Sequence, residues 1–348
     1  MRRLYEGRRE RSTAAIAGPR AISERPNVRA VRSLVYSLAS AAMCVSMAAA
    51  QVRFVAVGQS GRRASSADGR HWENDTTWAG GADLFGIAFG AGRFVAVGGG
   101  AGSGRIVSSE DGSEWREVFR SDQRVGTIAF GQIASGEARF VAASGAGLLH
   151  SSDGERFATG ARFDWPATVS PRRAAFGDTE AGRRFIFIGD VELAGEVDRM
   201  SWRAATTDGE AFLHTTDHAA PAGDIAHGAG RFVVVGPRGL VESSHDGQTW
   251  TRHELPVPDD LTRVVWTGSR FLASGGKAAW SSPDGLAWAA EPWSIPGPLL
   301  WAREDGVTGQ FFAVGADGAV QHSTKPGVWE TLTLPAGPRF EAIAWTAR

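Results

Sequence analysis

Cysteine and tyrosine are nearly absent from this chain of 348 residues, which contains one cysteine and two tyrosines. All three of these residues, Cys44, Tyr5 and Tyr36, lie within the first 50 positions. The rest of the chain therefore forms no disulfide bond and offers neither a thiol nor a phenol as a nucleophile. What it has instead is 45 glycines and 13 tryptophans, which suit many tight turns and bulky core anchors.

The first 50 residues differ in composition from the remainder. Residues 1–32 contain nine arginines and no aspartate, and residues 33–50 are apolar, uncharged and rich in alanine and serine. This order, followed by three alanines at 48–50, predicts a secretory signal peptide that is cleaved after Ala50. We therefore expect export to the periplasm or the extracellular space. A transmembrane anchor is the alternative, although this stretch is short and weakly apolar for a stable span.

Removal of this segment makes the chain acidic, because the segment holds nine arginines and only three acidic residues. An acidic surface argues against nucleic acid and anionic membranes as the main partners. We expect a monomer without cofactor or metal. His214 and His218 are four residues apart in an extended segment, about 13 Å, which is too far for one metal ion. The glycine-rich run 98–104 is not followed by a helix, so it lacks the context of a phosphate-binding loop.

Two motifs recur along residues 51–348. One is a turn motif, seen as SSADGRHW (65–72), SSEDGSEW (108–115), SSHDGQTW (243–250) and SSPDGLAW (281–288), with shorter relatives at 151–157 and 206–212. The other is an apolar motif, RFVAVG and its variants, which begins at seven positions 39 to 47 residues apart. Repeats of this length are typical of a stacked or radial architecture.

Each repeat contains an apolar segment such as GIAFG (86–90), the RFVAVG segment, one that ends in the Ser or Thr pair and one that starts at the aromatic residue. This order predicts four short antiparallel strands. Seven such units predict an all-β fold, a seven-bladed β-propeller that spans residues 51–348. The first RFVAVG lacks the strand that precedes the motif elsewhere, whereas residues 339–348 resemble that strand and have no continuation. We therefore predict that the C-terminal strand pairs with the N-terminal one and closes the ring.

The turn motif has a physical explanation. An Asp-Gly pair between two strands supplies the positive φ of a hairpin turn, and the Ser or Thr hydroxyl and the Asp carboxylate can accept hydrogen bonds from turn N–H groups. The aromatic residue then heads the outer strand and buries apolar area. The residues expected in this structural role are Asp68, Asp111, Asp153, Asp208, Asp246, Asp284, Trp72, Trp115, Trp250 and Trp288.

These turns resemble the Asp-box, or BNR, repeat of the sialidase-like propeller superfamily, in a variant one residue shorter between the Asp and the aromatic. The seventh copy, STKPGVW (323–329), has Lys325 in the Asp place. Sialidases of this superfamily use a tyrosine nucleophile, so the lack of tyrosine after residue 50 rules out that mechanism. The resemblance implies the fold and leaves the activity open, since one fold hosts many functions.

A candidate ligand site lies on the face opposite these turns. Aligned inner strands place Arg173, Asp224 and Arg263 at one level on three consecutive blades, flanked by Arg172 and Glu341. Two arginines and a carboxylate can clamp a carboxylate or sulfate. The alternative is an ion-paired rim that closes on itself through Asp224, since structural ion pairs imitate functional ones.

Other candidates lie in connections and in one insertion. Trp165 and Trp293 fall between blades, where they can stack on a sugar ring or pack against a neighbouring blade. Residues 190–202 form the largest insertion within a repeat, and such departures often carry function. Glu192 and Asp198 belong to this insertion.

Two functions follow from these features. The first is a non-enzymatic exported propeller that binds a glycan, a protein or a cell-surface component, as a binding or assembly scaffold. The second is a glycoside hydrolase or lyase that uses two carboxylates drawn from Asp224, Glu341, Glu192 and Asp198. The separation of the carboxyl groups decides between them, because retaining pairs lie about 5–5.5 Å apart and inverting pairs about 6.5–9.5 Å apart.

Overall fold

The structure is a computed structural model. It describes the backbone at residues 54–78, 81–163, 167–193, 200–218, 221–256, 259–275, 278–304, 309–314 and 318–346. The predicted signal segment, Trp165 and Asp198 lie outside these residues.

The described residues form seven four-stranded antiparallel sheets arranged in a ring, which confirms the predicted seven-bladed propeller. We number the blades from the N-terminus. Blade 1 contains β1 (Phe54–Gly58), β2 (Arg63–Ser66), β3 (Trp72–Thr76) and the last strand of the chain, β28 (Phe340–Trp345). The other strands follow in chain order, four to a blade. They are β4 (Asp83–Gly90), β5 (Arg93–Gly100), β6 (Ser103–Ser109) and β7 (Arg116–Ser121) in blade 2; β8 (Val125–Gln132), β9 (Ala138–Ser144), β10 (Gly147–Ser151) and β11 (Ala158–Arg162) in blade 3; β12 (Ala167–Thr179), β13 (Gly182–Leu193), β14 (Met200–Thr206) and β15 (His214–His218) in blade 4; β16 (Asp224–Gly228), β17 (Arg231–Val235), β18 (Val241–Ser244) and β19 (Thr251–His253) in blade 5; β20 (Arg263–Trp266), β21 (Phe271–Ser274), β22 (Trp280–Ser282) and β23 (Ala289–Ala290) in blade 6; β24 (Leu299–Glu304), β25 (Gly309–Val314), β26 (Val320–Lys325) and β27 (Val328–Thr331) in blade 7.

The core lies between the blades. The second strand of each blade carries the RFVAVG motif or its variant, and its apolar residues are almost wholly buried. Strand β1, for example, is buried along its whole length. A strand that is covered on both faces reads as a continuous apolar run, which explains why this motif shows no polar alternation.

The C-terminal strand completes blade 1. Strand β28 pairs with β1 in antiparallel register, with Phe54 opposite Trp345 and Ala56 opposite Ile343. The predicted closure of the ring by its two ends is therefore confirmed.

Arg62 reinforces this closure. Its guanidinium forms a two-pronged ion pair with Asp75 at 2.8 and 2.6 Å and donates to the carbonyl oxygens of Pro335 and Pro338 at 2.7 Å. It also lies 4.3 Å from the centre of the Phe340 ring. One buried cation thus joins the start of the propeller to its last strand.

The two faces of the ring are built from different connections. The box face carries the turns between the third and fourth strands, which hold the turn motif. The rim face carries the turns between the second and third strands and the connections between blades. On the rim face of blade 4, β12 and β13 stay paired from the level of Arg173 out to Ala167 and Leu193. These strand ends, called the raised hairpin below, project about 20 Å beyond Arg173 at 3.3 Å per residue.

Candidate functional site

The turns of the box face share one set of hydrogen bonds. In the turn of blade 2, Gly112 N–H donates to the Ser109 hydroxyl at 2.8 Å, and the N–H groups of Ser113 and Glu114 donate to Asp111 at 2.9 Å. The indole N–H of Trp115 donates a hydrogen bond to the Gly112 carbonyl at 3.1 Å. The glycine has a positive φ in this turn and in its counterparts. Corresponding Asp contacts are formed by Asp68, Asp153, Asp208, Asp246 and Asp284.

These bonds favour the ionised carboxylate. Partial burial opposes ionisation of Asp111, but the N–H of Glu114, the Ser113 hydroxyl and N–H, and the Ser109 hydroxyl outweigh it and lower its pKa to about 2. The pKa of Asp246 is also lowered to about 2, since partial burial is outweighed by the N–H groups of Thr249 and Gln248. Such pKa shifts report turn geometry as well as active sites, so they do not by themselves indicate catalysis here.

Five of the box turns also pack on the preceding blade through their glycines, Gly69, Gly154, Gly209, Gly247 and Gly285. A Cβ added to Gly247 would lie 2.1 Å from the Ile186 side chain of blade 4. Arg184, the first residue of the RFVAVG variant in blade 4, donates to the carbonyl of Asp246 at 2.9 Å. Arg139 approaches the carbonyl of Asp208 in the same way, at 3.5 Å. The repeated arginine, whose role the sequence motif did not reveal, thus joins a blade to the turn of the next one.

On the rim face, the observed pairing of the inner strands agrees with their alignment in the sequence. Arg173, Asp224 and Arg263 each lie opposite the fifth residue of the RFVAVG variant on the neighbouring strand. Arg173 Nε and Asp224 Oδ1 are 3.7 Å apart, an ion pair between blades 4 and 5.

Both oxygens of the Asp224 carboxylate accept hydrogen bonds from main-chain groups of this protein. It is 7% exposed; Oδ1 accepts the N–H of Ile225 at 2.9 Å and Oδ2 accepts the N–H of Val264, in blade 6, at 3.1 Å. Burial raises the pKa of Asp224, while Arg173 and Arg263 act in the opposite direction. Burial and the charge of Arg173 lower the pKa of Arg263 to about 10.

The two flanking residues are partnered separately. Arg172 is exposed and forms an ion pair with Asp190 at 3.1 Å. Glu341 accepts from Gln59 at 3.3 Å and lies 4.0 Å from Arg339.

The inner strands of four consecutive blades bulge at one level on this face. In each of blades 1 to 4, one residue of the inner strand has no partner on the second strand, and the pairing register shifts at that residue. These residues are Glu341, Phe85, Gly126 and Arg172. A β-bulge turns a side chain away from its regular direction, and bulges are frequent beside binding and active sites. Sequence reasoning did not detect these bulges, because they become visible only when strand pairing is known.

A cavity of about 420 Å³ opens beside these bulges, between blades 2, 3 and 4. Its lining includes the turn Gly99–Gly102, Gln123 and Arg124 from the connection to blade 3, and Ser170 from the raised hairpin. The glycine-rich run that lacked the context of a phosphate loop thus contributes main chain to a cavity. Its volume falls within the range of small-molecule sites.

Arg124 is the cation of this cavity. Its guanidinium carbon lies 4.8 Å from the centre of the Phe85 ring. Among the described residues, no carboxylate lies within ion-pair distance of Arg124. Burial and the charge of Arg172 lower its pKa, while the charges of Asp190 and Asp83 act in the opposite direction.

The remaining sequence candidates are dispersed. Trp293 packs 6.5 Å from the Phe311 ring of blade 7 and next to Gly327, in the turn between β26 and β27. It is therefore placed beside blade 7 on its box side, apart from the Arg173 and Asp224 pair. Glu192 lies on strand β13 in the raised hairpin and is exposed. In the described part of the chain, no group of three or more His, Cys, Asp or Glu side chains is suited to a metal ion.

No helix within the described ranges has the length and apolar character needed to cross a membrane.

Comparison with known proteins identifies the fold. No protein family matches the sequence, and no curated protein matches it. Virginiamycin B lyase from Staphylococcus aureus superposes with a TM-score of 0.53 at 11% identity, over 73% of this chain and 85% of the lyase chain. A protein from Lactobacillus plantarum superposes with a TM-score of 0.54 at 10% identity, over 85% of this chain and all of that chain (100%). At these identities the likeness shows a shared β-propeller fold.

Proposed function

We propose that this protein is an exported, non-enzymatic β-propeller that binds a glycan, a protein or a cell-surface component through its rim face. The turn motif further supports a place among the Asp-box propellers of the sialidase-like superfamily. In this proposal the box face holds neighbouring blades together, and the rim face, where the blades differ, meets the partner.

The observation that carries the proposal is the state of the rim carboxylates. Both oxygens of Asp224 accept main-chain N–H groups, and the group is buried. A general acid or nucleophile must instead reach its substrate directly. Glu341 is engaged by Gln59 and lies close to Arg339. The rim face therefore offers arginines for binding more readily than carboxylates for proton transfer.

One observation supports the alternative function, a glycoside hydrolase or lyase. A raised hairpin beside a cavity resembles the walls of a substrate cleft, and Glu192 lies on that hairpin. The solved lyases that share the fold are too distant in sequence to carry their activity to this chain.

A glycan array on the purified protein, followed by a reducing-sugar release assay on each glycan that binds, separates the two functions. Binding without release supports the scaffold. Release of sugar that depends on Glu192 or Asp224 would replace it with the hydrolase. Export has its own test, the intact mass of protein from the native host, which is expected to begin at Gln51; a mass that retains Met1 would contradict it.

A further inference from the structure

The inner strands carry a second set of contacts between blades, apart from the box turns. In blades 2 to 6 an aromatic ring lies opposite the phenylalanine of the RFVAVG motif or its variant; the rings are Phe89, Phe130, Phe176, His227 and Trp266. From blade 3 to blade 6, each ring lies on the glycine that follows the ring of the preceding blade. A Cβ on these glycines would lie 2.1 or 2.2 Å from a ring atom; they are Gly90, Gly131, Gly177 and Gly228. The contact between ring and glycine therefore joins successive inner strands.

His227 is the ionisable ring of this set. It is half-buried between blades 4 and 5, with its Cδ2 atom on Gly177 and its centre 4.9 Å from that of the Phe232 ring. Its Nε2 atom is buried and has no hydrogen-bond partner among the described residues. A neutral imidazole can leave this nitrogen unprotonated, whereas an imidazolium carries an N–H group there. Protonation thus places a charged donor in a buried position without an acceptor, which costs free energy.

The surroundings of His227 favour its neutral form. Burial lowers the pKa of His227, while the main chain and the charge of Asp178 act in the opposite direction. An unfolded chain, in which histidine has a pKa of about 6.5, therefore binds the proton more readily than the folded protein does. The contribution of His227 to stability is present above about pH 6.5 and decreases as the pH falls below that value.

Charged residues on the neighbouring strands modify this effect. Strands β12, β17 and β20 pack against β16. Asp178, near the C-terminal end of β12, is bonded to Arg183 at 3.1 Å. Burial raises the pKa of Asp224, so its protonation in acid stabilises the fold and opposes the effect of His227. A variant of His227 alone keeps this opposing contribution constant. The remaining charged residues of these strands are Arg172 and Arg173 on β12, Arg231 on β17 and Arg263 on β20.

Further out in the same interface, a buried ion pair joins the third strands of blades 4 and 5. Arg203 Nη2 donates to Glu242 Oε2 at 2.5 Å, and the two side chains are 0% and 6% exposed. A buried ion pair adds little stability over apolar residues of similar size. Arg203 lies opposite the fifth residue of the motif variant, where three other blades have an apolar side chain: Ile106, Leu148 and Val241. The interface between blades 4 and 5 thus contains ionisable groups in two places where blades 2 and 3 have apolar ones.

We propose that the interface between blades 4 and 5 is an acid-sensitive joint of the ring. When His227 is protonated, its ring moves away from Gly177 and the inner strands β12 and β16 separate at that end, while the other blades stay packed. This is a conformational property of the fold, and it does not depend on the binding role of the rim face.

The test is hydrogen exchange of the purified full-length chain, measured by mass spectrometry at pH 7.5 and pH 5.5 and corrected for the intrinsic effect of pH on exchange. At the lower pH, the amides of β12 and β16 are expected to exchange about 3- to 10-fold faster, since a pKa difference of one unit corresponds to a factor of ten. The amides of β4 and β8, in blades 2 and 3, are expected to show no such change.

His227→Phe is the decisive variant, because it introduces the ring that blades 2 to 4 already have at this place. It is expected to remove the acid response and to leave exchange at pH 7.5 unchanged. His245→Gln is the matched control: it removes an exposed histidine of the same blade and is expected to keep the response. A second measurement, NMR titration, is expected to give a pKa below about 6.5 for the imidazole signal that disappears in His227→Phe.

Acid responses of equal size in the wild type and His227→Phe would overturn the proposal, and so would faster exchange in acid that is shared equally by all seven blades. A pKa of about 6.5 or higher for His227 would also overturn it. The double variant Arg203→Ile, Glu242→Val, which introduces the residues found at these places in blade 2, is expected to keep the acid response. Loss of the response in this double variant, with His227 still present, would assign it to the ion pair and overturn the role of His227.

Discussion

The two faces of the propeller differ in how closely their blades repeat one another. On the box face, six turns use the same Ser or Thr, Asp and Gly contacts, and the glycines of five of them lie against the preceding blade. On the rim face, equivalent positions in successive blades hold Phe85, Gly126 and Arg172. The repeated face joins neighbouring blades by a common set of contacts, and the varied face is the one that meets the partner in the proposed function. This comparison predicts that substitutions on the two faces affect different measurements.

The largest effect is expected from loss of closure. Truncation after Pro335 removes β28, an inner strand, together with the contacts that Arg62 makes to Pro338 and Phe340. Each large apolar side chain lost from burial contributes about 1.5–3 kcal/mol, a large share of a typical net stability of about 5–15 kcal/mol. The truncated protein is expected to aggregate or to melt far below the full chain in differential scanning calorimetry. An unchanged melting temperature would refute closure as a stabilising device.

The next largest effect is expected at a box-turn glycine. Gly247→Ala adds a Cβ 2.1 Å from Ile186 at a φ of +73°, so both strain and a clash oppose folding. The expected loss is about 3 kcal/mol in the free energy of unfolding. Gly92→Ala is the matched control: its φ is +77°, but its Cβ meets nothing within 4 Å. It is expected to cost about 1 kcal/mol, from strain alone. Equal losses in denaturant titrations would show that the turns do not brace the blades.

Much of this architecture could be predicted from sequence because its causes are local. A few adjacent residues are enough to identify an Asp-Gly turn, a buried apolar strand, or a C-terminal run that resembles an inner strand. The level shared by Arg173, Asp224 and Arg263 followed from the same alignment. The bulge at Phe85 and the cavity at Arg124 could not be predicted, because a bulge depends on strand register and a cavity depends on three blades at once. The hydrogen bond from the Val264 N–H to Asp224 could not be predicted either, because the two residues lie 40 positions apart in the sequence.

Acid is expected to weaken the box face selectively. The pKa of Asp111 is about 2 in the folded protein and about 3.9 in an unfolded chain, so its ionised form stabilises the fold above pH 4 and this contribution disappears as the pH falls through 2. Asp111→Ala is expected to cost about 1 kcal/mol at pH 7. The difference between wild type and variant, measured by urea denaturation, should shrink between pH 4 and pH 2. A difference that stays constant over this interval would contradict the assigned hydrogen bonds.

The smallest effect on stability is expected on the rim face. Arg172 is exposed, and its ion pair with Asp190 lies at the protein surface, where such pairs contribute about 0–1 kcal/mol. Arg172→Gln is therefore expected to change the free energy of unfolding by less than about 0.5 kcal/mol, against about 3 kcal/mol for Gly247→Ala on the other face. Denaturant titration of both variants beside wild type measures the contrast. Because Arg172 also lowers the pKa of Arg124, its removal changes the electrostatic environment of the cavity while the blades stay in place. A loss at Arg172 as large as that at Gly247 would mean that the rim face braces the ring as well, and would remove the division of labour between the two faces.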